Sequence, residues 1–326
     1  MILVTGGAGF IGSNIVAALA AAGEEVAVCD WFGTDDKWRN LAKHDVVSFV
    51  APEDLPDWLS RAPRLTAVVH MGAISATTER DADLIVATNI RLSWSLWEWC
   101  AAAEVPFIYA SSAATYGDGL AGFDDDNDAQ AMGRLRPLNP YGWSKLAFDR
   151  RVIRAIHGRE PRPPQWAGLR FFNVYGPNEY HKGRMQSVIS QNYPRIAAGE
   201  EMRLFRSYRS DYADGGQLRD FIYVRDCVDV VLWLLSHTET SGIFNVGTGR
   251  ARSWNDLAQA LFAAAGREPR ISYIPMPEDL QQRYQYFTEA RMDRLRAAGY
   301  PHAFTSLEDG VAAYVQGFLA SDDPYR

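Results

Sequence analysis

The opening stretch "MILVTGGAGFIGSN" constrains this chain more than any other. A short apolar run ends in a threonine and opens onto Gly6, Gly9 and Gly12, after which apolar residues resume at helical spacing. Glycines between a strand and a helix permit a tight turn, close approach of backbone to a pyrophosphate, and tight packing of the helix on its sheet. The helix N-terminus then offers its free N–H groups to the anion. A chain that starts this way needs a parallel sheet, and the rest of the sequence agrees. The short apolar runs "ILVT", "EVAVCD", "VVSFV", "AVVHM", "PFIYASS" and "GLRFF" alternate with longer helical patterns. Strands alternating with helices mean parallel pairing through right-handed crossovers. Near-continuous apolar strands fit burial on both faces, so the expected fold class is α/β with a doubly wound parallel sheet.

After about residue 172 the rhythm breaks into loops rich in arginine, tyrosine and glycine, such as "RSYRSDYADGGQLRD". At 326 residues the chain exceeds the size at which one core stops growing. We therefore expect a dinucleotide-binding domain over 1–172 plus about 221–248, where "FIYVRD" and "IFNVGTG" return. A smaller α/β substrate-binding domain is expected over 173–220 plus about 249–326, with a cleft between the two.

The net charge of −7 argues against nucleic acid as a partner, which would require a basic stripe. The longest apolar run, "AALAAAG", is too short to span a bilayer, so no membrane partner is expected. Cys29, Cys100 and Cys227 fall in apolar runs without ligand spacing and read as buried thiols of a reduced compartment. No basic leader precedes the first strand, and a cytoplasmic protein with no metal is expected.

Phe10 and Ile11 sit among the loop glycines and share the expected dinucleotide site. The second strand ends in Asp30, where a carboxylate accepts from the adenosine ribose hydroxyls and favours NAD. Trp31 follows it. Lys37 and Arg39, a few residues on, are suited to a 2′-phosphate or are solvated loop charges, which leaves NAD and NADP both open. "HMGAIS" places Met71, Gly72, Ala73, Ile74 and Ser75 at the end of the fourth strand, beside the far half of the cofactor. Asn89 stands either there or on a helix surface.

"YASSAATYG" ends a strand in hydroxyls, and "NPYGWSK" follows. Asn139 is suited to cap a helix and Pro140 to its first turn. Tyr141 and Lys145 then lie at i and i+4 on one face. Free tyrosine has a pKa of about 10, so roughly one in a thousand is ionised at neutral pH. A nearby ammonium and an oxidised nicotinamide ring both favour the phenolate. With Ser112 holding the substrate oxygen, the trio removes a proton from an alcohol while hydride leaves the same carbon.

Together "TGGAGFIG", "SSAATYG" and "YGWSK" resemble the extended short-chain dehydrogenase/reductase family, whose larger domain is a Rossmann sheet. The resemblance implies tyrosine as base, lysine as its orienting partner, serine for positioning, and an epimerase, dehydratase or reductase of nucleotide sugars. "NVYGPNEYHKGRMQS", "RDFIYVRD", "GIFNVGTGRARSWNDLA", "QRYQYFT" and "LRAAGY" are similar, in order and spacing, to the branch that epimerises ADP-heptose for lipopolysaccharide. That resemblance implies NADP, with NAD the alternative, and a homo-oligomer. It also implies a second acid/base group in Lys182. Epimerising a secondary alcohol by transient oxidation returns hydride to the opposite face, so one group serves each orientation: Tyr141 for one epimer and Lys182 for the other. The competing role for Lys182 is pairing with a phosphate, and as a base it needs burial or a neighbouring cation to lower its pKa from about 10.4.

The same resemblance assigns Val174 to the cofactor, and Asn173, Lys182, Arg184, Phe205, Arg219 and Tyr284 to the substrate. Arg219 is suited to the pyrophosphate. The sequence departs from that pattern in Trp31, Pro52, Arg184 and a longer 206–218 loop carrying Asp211 and Asp214. Rival readings are a 4-epimerase, which leaves Lys182 unexplained, and a dehydratase, which wants acids where Ala113 and Ala114 stand. A non-catalytic dinucleotide sensor has no need of Ser112, Tyr141 and Lys145 together. In "LSWSLWEWCAAA", Trp94 and Trp97 share a face that is either core or an oligomer contact.

Overall fold

The computed structural model describes residues 1–61, 64–281 and 284–326; Gln282 and Arg283 of the "QRYQYFT" motif lie outside the described residues. Ten elements build the first half: β1 (Ile2–Thr5), α1 (Phe10–Ala21), β2 (Val26–Cys29), β3 (Ser48–Val50), α2 (Leu55–Ser60), β4 (Ala67–His70), α3 (Ala82–Ile85), α4 (Ser93–Ala102), β5 (Phe107–Ser112) and α5 (Ala129–Arg134). A π-helical turn, Val86–Leu92, joins α3 to α4. Then come α6 (Pro140–His157), β6 (Trp166–Phe171), β7 (Asn173–Tyr175), α7 (Val188–Ala197), β8 (Met202–Phe205), β9 (Leu218–Tyr223), α8 (Val224–Ser236) and β10 (Gly242–Val246). The remainder holds β11 (Ala251–Ser253), α9 (Trp254–Ala264), β12 (Ile271–Ile274), α10 (Glu278–Gln281), α11 (Asp293–Ala297) and α12 (Leu307–Tyr314).

Seven strands form one sheet in the order β10-β6-β5-β4-β1-β2-β3, and every pairing in it is parallel. The expected doubly wound α/β sheet is what the chain forms. Successive strand residues face opposite sides, and both sides are covered. Ile2 and Val4 pack with α1 and α8, while Leu3 packs with α2, α4 and α6. Hence the strands read as unbroken apolar runs rather than alternating ones.

The strand of "FIYVRD" does not rejoin this sheet. It is β9, the middle strand of a three-stranded sheet β11-β9-β7, and only α8 and β10 return. β8 and β12 make a separate parallel pair. A third apolar cluster, built on α7, α9 and α12, holds these small sheets together. Chain order reverses between β1 and β4, so their carboxyl ends flank a crevice, where open α/β sheets bind ligands.

Helix α6 is fixed to the sheet by charge as well as by packing. Asp149 accepts from Tyr109 Oη at 3.1 Å and Ser111 Oγ at 2.9 Å, both on β5, and from Arg170 Nε on β6 at 3.0 Å. Arg170 also donates to Tyr116 Oη at 3.1 Å, and the Tyr116 hydroxyl donates to Asn245 Oδ1 at 2.6 Å. The Arg170 and Asp149 side chains have no exposed surface. A buried ion pair adds little over an apolar pair, but removing one partner strands the other. Asp149→Ala should therefore lower the unfolding free energy by about 3–5 kcal/mol, read as a drop in urea midpoint at unchanged m-value.

Candidate active site

A cleft of about 690 Å3 opens at the carboxyl ends of the strands, between the large sheet and the second half of the chain. Its floor is the glycine-rich turn. Gly6 has φ +65°, and a Cβ there would lie 2.5 Å from the Gly72 nitrogen. A Cβ on Gly12 would lie 2.1 Å from the Gly6 carbonyl oxygen. The turn and the β4 loop thus touch backbone to backbone, and α1 presents its N-terminus to the cleft. These features fit a dinucleotide pyrophosphate.

Asp30 lines the cleft at the end of β2. Its carboxylate accepts from the Ala8 amide at 2.9 Å and from Lys37 Nζ at 2.6 Å. Lys37 faces the cleft, whereas Arg39 turns away and lies 4.7 Å over the Tyr325 ring. The Trp31 indole donates to Glu53 at 2.7 Å, and Pro52 also reaches the cleft wall.

Met71, Gly72, Ala73, Ile74 and Ser75 line the cleft as well. Two polar chains hold them. The Gly72 amide donates to Thr5 Oγ1 at 3.2 Å, and that hydroxyl lies 2.6 Å from His70 Nδ1. Ser93 Oγ donates to the Asn89 carbonyl, which leaves it to accept from His70 Nε2 at 2.8 Å. Burial, seconded by the Lys145 charge, pulls the His70 pKa down to about 3, so the imidazole is neutral and its Nδ1 accepts from the Thr5 hydroxyl. Asn89 is not on the cleft wall. Its amide clasps Ile74 through both backbone groups and donates to Ser144 Oγ at 3.0 Å, which itself donates to the Tyr141 carbonyl. It ties the β4 loop to the first turn of α6 instead of facing a ligand.

Helix α6 begins as its sequence predicts, with Asn139 accepting from the Gly142 amide at 2.8 Å and Pro140 in the first turn. Tyr141, Lys145 and Ser112 meet in the cleft. Lys145 Nζ donates to the Ala110 carbonyl at 2.8 Å. Burial lowers the Lys145 pKa to about 8, against the pull of the Asp149 carboxylate. Tyr141 differs from the sequence expectation. Burial raises its pKa, and the group that opposes this is the Ser112 hydroxyl rather than Lys145, whose ammonium is turned to Ala110. An oxidised nicotinamide bound beside it would add a positive charge that lowers this pKa.

Lys182 lies on the opposite wall, in a 3₁₀ segment, Tyr180–Met185. Its Nζ is 4.8 Å from the Phe10 ring centroid, at the N-terminal end of α1. Burial lowers its pKa and the nearby Glu179 carboxylate partly restores it. That shift is in the direction a role as base requires.

Val174, Asn173, Phe10 and Ile11 also line the cleft, but Arg184, Phe205, Arg219 and Tyr284 do not. Arg184 is exposed on the outer side of its loop, and Phe205 ends β8. Arg219 lies between aromatic faces, 5.1 Å from the Tyr284 ring and 6.0 Å from that of Trp254. It is 8% exposed and pairs with no carboxylate among the described residues. The Trp254 indole, which donates to Tyr284 Oη at 3.0 Å, lines the cleft and joins this cluster to it. Sequence reading missed His181, Gln186, Phe221 and Trp254 on the wall, although all four stand inside the motifs already quoted. Among the described residues no group of three or more His, Cys, Asp or Glu could hold a metal, and no helix is long and apolar enough to cross a membrane.

The model of the NAD dependent epimerase/dehydratase family matches residues 2–247. The chain belongs to that family. It is 54% identical over the whole of both chains to ADP-L-glycero-D-manno-heptose-6-epimerase of Nitratidesulfovibrio vulgaris. The crystal structure of the Helicobacter pylori protein of that name superposes with a TM-score of 0.78 at 28% identity, over 97% of this chain and 95% of that one. Thermus thermophilus UDP-glucose 4-epimerase in complex with NAD superposes with a TM-score of 0.74 at 28% identity, over 97% of each.

The buried ammonium gives a test that needs no substrate. Lys145 has a folded pKa of about 8 and an unfolded one of about 10.4. Between them the unfolded chain holds a proton that the folded chain lacks, so this group adds stability as pH rises through that window. The Tm of cofactor-free Lys145→Met minus that of the parent should fall steadily from pH 7.5 to 10. A flat or rising difference would refute the depressed pKa.

Proposed function

We propose that the chain is an isomerase interconverting ADP-D-glycero- and ADP-L-glycero-D-manno-heptose at C6″, using a nicotinamide dinucleotide retained in the cleft. The observation that carries this reading is the presence of two acid/base groups, Tyr141 and Lys182, on opposite walls of one cleft. It is supported by full-length similarity to relatives named for that reaction. A 4-epimerase uses the same scaffold, as the Thermus thermophilus structure illustrates, but leaves Lys182 without a task.

The glycine turn, Asp30, Lys37 and the 71–75 loop would hold the dinucleotide, with Lys145 beside its nicotinamide half. Bound there, it supplies the acceptor of hydride from C6″ and the donor that returns it. The chain handles the proton. Ser112 holds the C6″ oxygen, and ionised Tyr141 takes the hydroxyl proton as the C–H bond breaks, leaving a ketone. Turning that end of the sugar presents the opposite face and moves the oxygen away from Tyr141. Lys182 protonates the oxygen there as the new C–H bond forms, which inverts the carbon. In the reverse direction Lys182 is the base, a role its burial favours. Arg219, a buried guanidinium without a carboxylate partner among the described residues, is suited to the ADP pyrophosphate, with Tyr284 and Trp254 as its platform.

Residues 1–172 with 224–248 serve the dinucleotide in this reading, and 173–223 with 249–326 the sugar nucleotide. NADP is the preferred cofactor, because Lys37 offsets the Asp30 charge and can turn its ammonium to a 2′-phosphate. The protein is cytoplasmic, in keeping with three buried free thiols. It self-associates through the α4–α6 face, where Trp143 is 44% exposed and Arg151 covers Trp94, while Trp97 is core.

Proton NMR of ADP-D-glycero-D-manno-heptose with the purified protein should show the L-glycero signals growing without added cofactor. Lys182→Met should abolish that growth and keep the cofactor bound; an unchanged wild-type spectrum with NAD and NADP supplied would sink the assignment. Lys37→Ala should raise the Kd for NADP about tenfold and that for NAD less than about threefold, measured by fluorescence titration.

A further inference from the structure

The connection that carries Lys182 is long, and the 3₁₀ segment Tyr180–Met185 is its one regular piece. Between β7 and α7 it passes through Gly176 with φ +147°, Asn178 with φ +72° and Gly183 with φ +52°. On its inner side it is closed by Glu179, which accepts from the Ser187 amide and hydroxyl. On its outer side it rests on residues far away in sequence.

The segment Asp323–Arg326 lies across two cleft-forming pieces at once. Toward the Lys182 loop, Tyr180 Oη donates to the Pro324 carbonyl at 2.8 Å and the Tyr180 ring meets the Tyr325 ring edge-on at 5.3 Å. The Arg326 amide donates to Asn178 Oδ1 at 2.9 Å. Toward the segment that follows Asp30, Arg39 stacks on Tyr325 and Lys43 pairs with Asp323 at 2.8 Å. Arg326 also reaches Asn14 Oδ1 on α1 at 3.2 Å. Tyr325 is 8% exposed, so its ring is packed on both sides rather than lying on the surface.

We infer that Tyr325 and Arg326 are positioning residues for Lys182: they strap its loop to the Arg39–Lys43 segment and to α1, and so fix the second acid/base group opposite Tyr141. The inference rests on the reading that Lys182 serves one epimer and Tyr141 the other. Tyr141 stands on α6, held by Asp149 and Asn139, and touches none of these residues. The strap therefore acts on one half-reaction.

Steady-state rates cannot separate the halves, because the equilibrium constant ties the two directions together. The experiment is single-turnover reduction of the bound cofactor, followed at 340 nm in holoenzyme mixed with each epimer separately. Lys182→Met identifies the epimer whose oxidation depends on Lys182. Tyr325→Ala should slow reduction by that same epimer about tenfold or more and leave the other within about twofold. Tyr325→Phe, which keeps the ring, should restore it. Amide exchange over residues 176–187 of the cofactor-free protein should speed up in Tyr325→Ala while that of α6 stays as in the parent. Equal effects of Tyr325→Ala on both epimers, or none, with the asymmetry present in Lys182→Met, overturn the strap alone. Absence of asymmetry in Lys182→Met overturns the two-base reading and the strap with it. If Tyr325→Ala does not fold, Arg326→Ala tests the same contact from the other side of the loop.

Discussion

Asp149 is the point from which the geometry of the cleft is set. Its carboxylate joins three strand residues to α6, and Tyr141, Lys145 and Asp149 follow one another at i, i+4 and i+8 along the same helical face. A helix on a sheet slides easily if apolar packing alone holds it, because apolar contacts are non-directional. The charged hydrogen bonds to Arg170 permit one register, and in that register Lys145 meets the Ala110 carbonyl and Tyr141 meets Ser112. The Arg170–Asp149 pair contributes little net stability, but it specifies where Tyr141 stands.

The two proposed acid/base groups, Tyr141 and Lys182, are tuned by different balances. Tyr141 is pushed up by burial and held back by Ser112, and the positive charge of a bound oxidised nicotinamide would favour the phenolate. In the proposed reaction its proton affinity would then follow the redox state of the cofactor. Lys182 is pushed down by burial and partly restored by Glu179. No step of the cycle has to supply that tuning, because Glu179 is built into the loop. In the proposed mechanism one group would respond to the cofactor while the other is preset, which suits proton transfer in both directions at one site.

What was legible in the sequence is local. The glycine turn, the Asn139 cap and the Tyr141–Lys145 spacing depend on residues within a turn or two of each other, and their patterns survive in one dimension. Continuous apolar strands disclosed a sheet covered on both faces. Contacts that join distant segments left no such mark. Asn89 reads as a helix-surface or cofactor residue, yet its amide is consumed by Ile74 and Ser144. "FIYVRD" has the look of any buried strand, and only pairing decides that β9 joins β7 and β11. Arg219, Trp254 and Tyr284 come from three separate segments, and their stacking exists only after the second half has closed.

The long 206–218 loop shows how a departure from a familial pattern can leave the site's charge untouched. Two acids enter there, and a reader of the sequence would place negative charge near an anionic substrate. In the structure Asp211 takes both of its oxygens to Arg209, at 2.9 and 2.6 Å, and Asp214 accepts from the Ser207 amide at 2.7 Å. Arg209 in turn lies over the Tyr212 and Tyr286 rings, each at 5.2 Å. The loop satisfies its own charges, and none of its residues lines the cleft. Arg219 at the foot of the loop thus keeps its charge uncompensated among the described residues, 8% exposed beside the cleft wall. A guanidinium at that depth without a carboxylate is held by the Leu218 carbonyl and the Tyr284 and Trp254 faces, which leaves part of its fork to bind the anion the proposed substrate would bring.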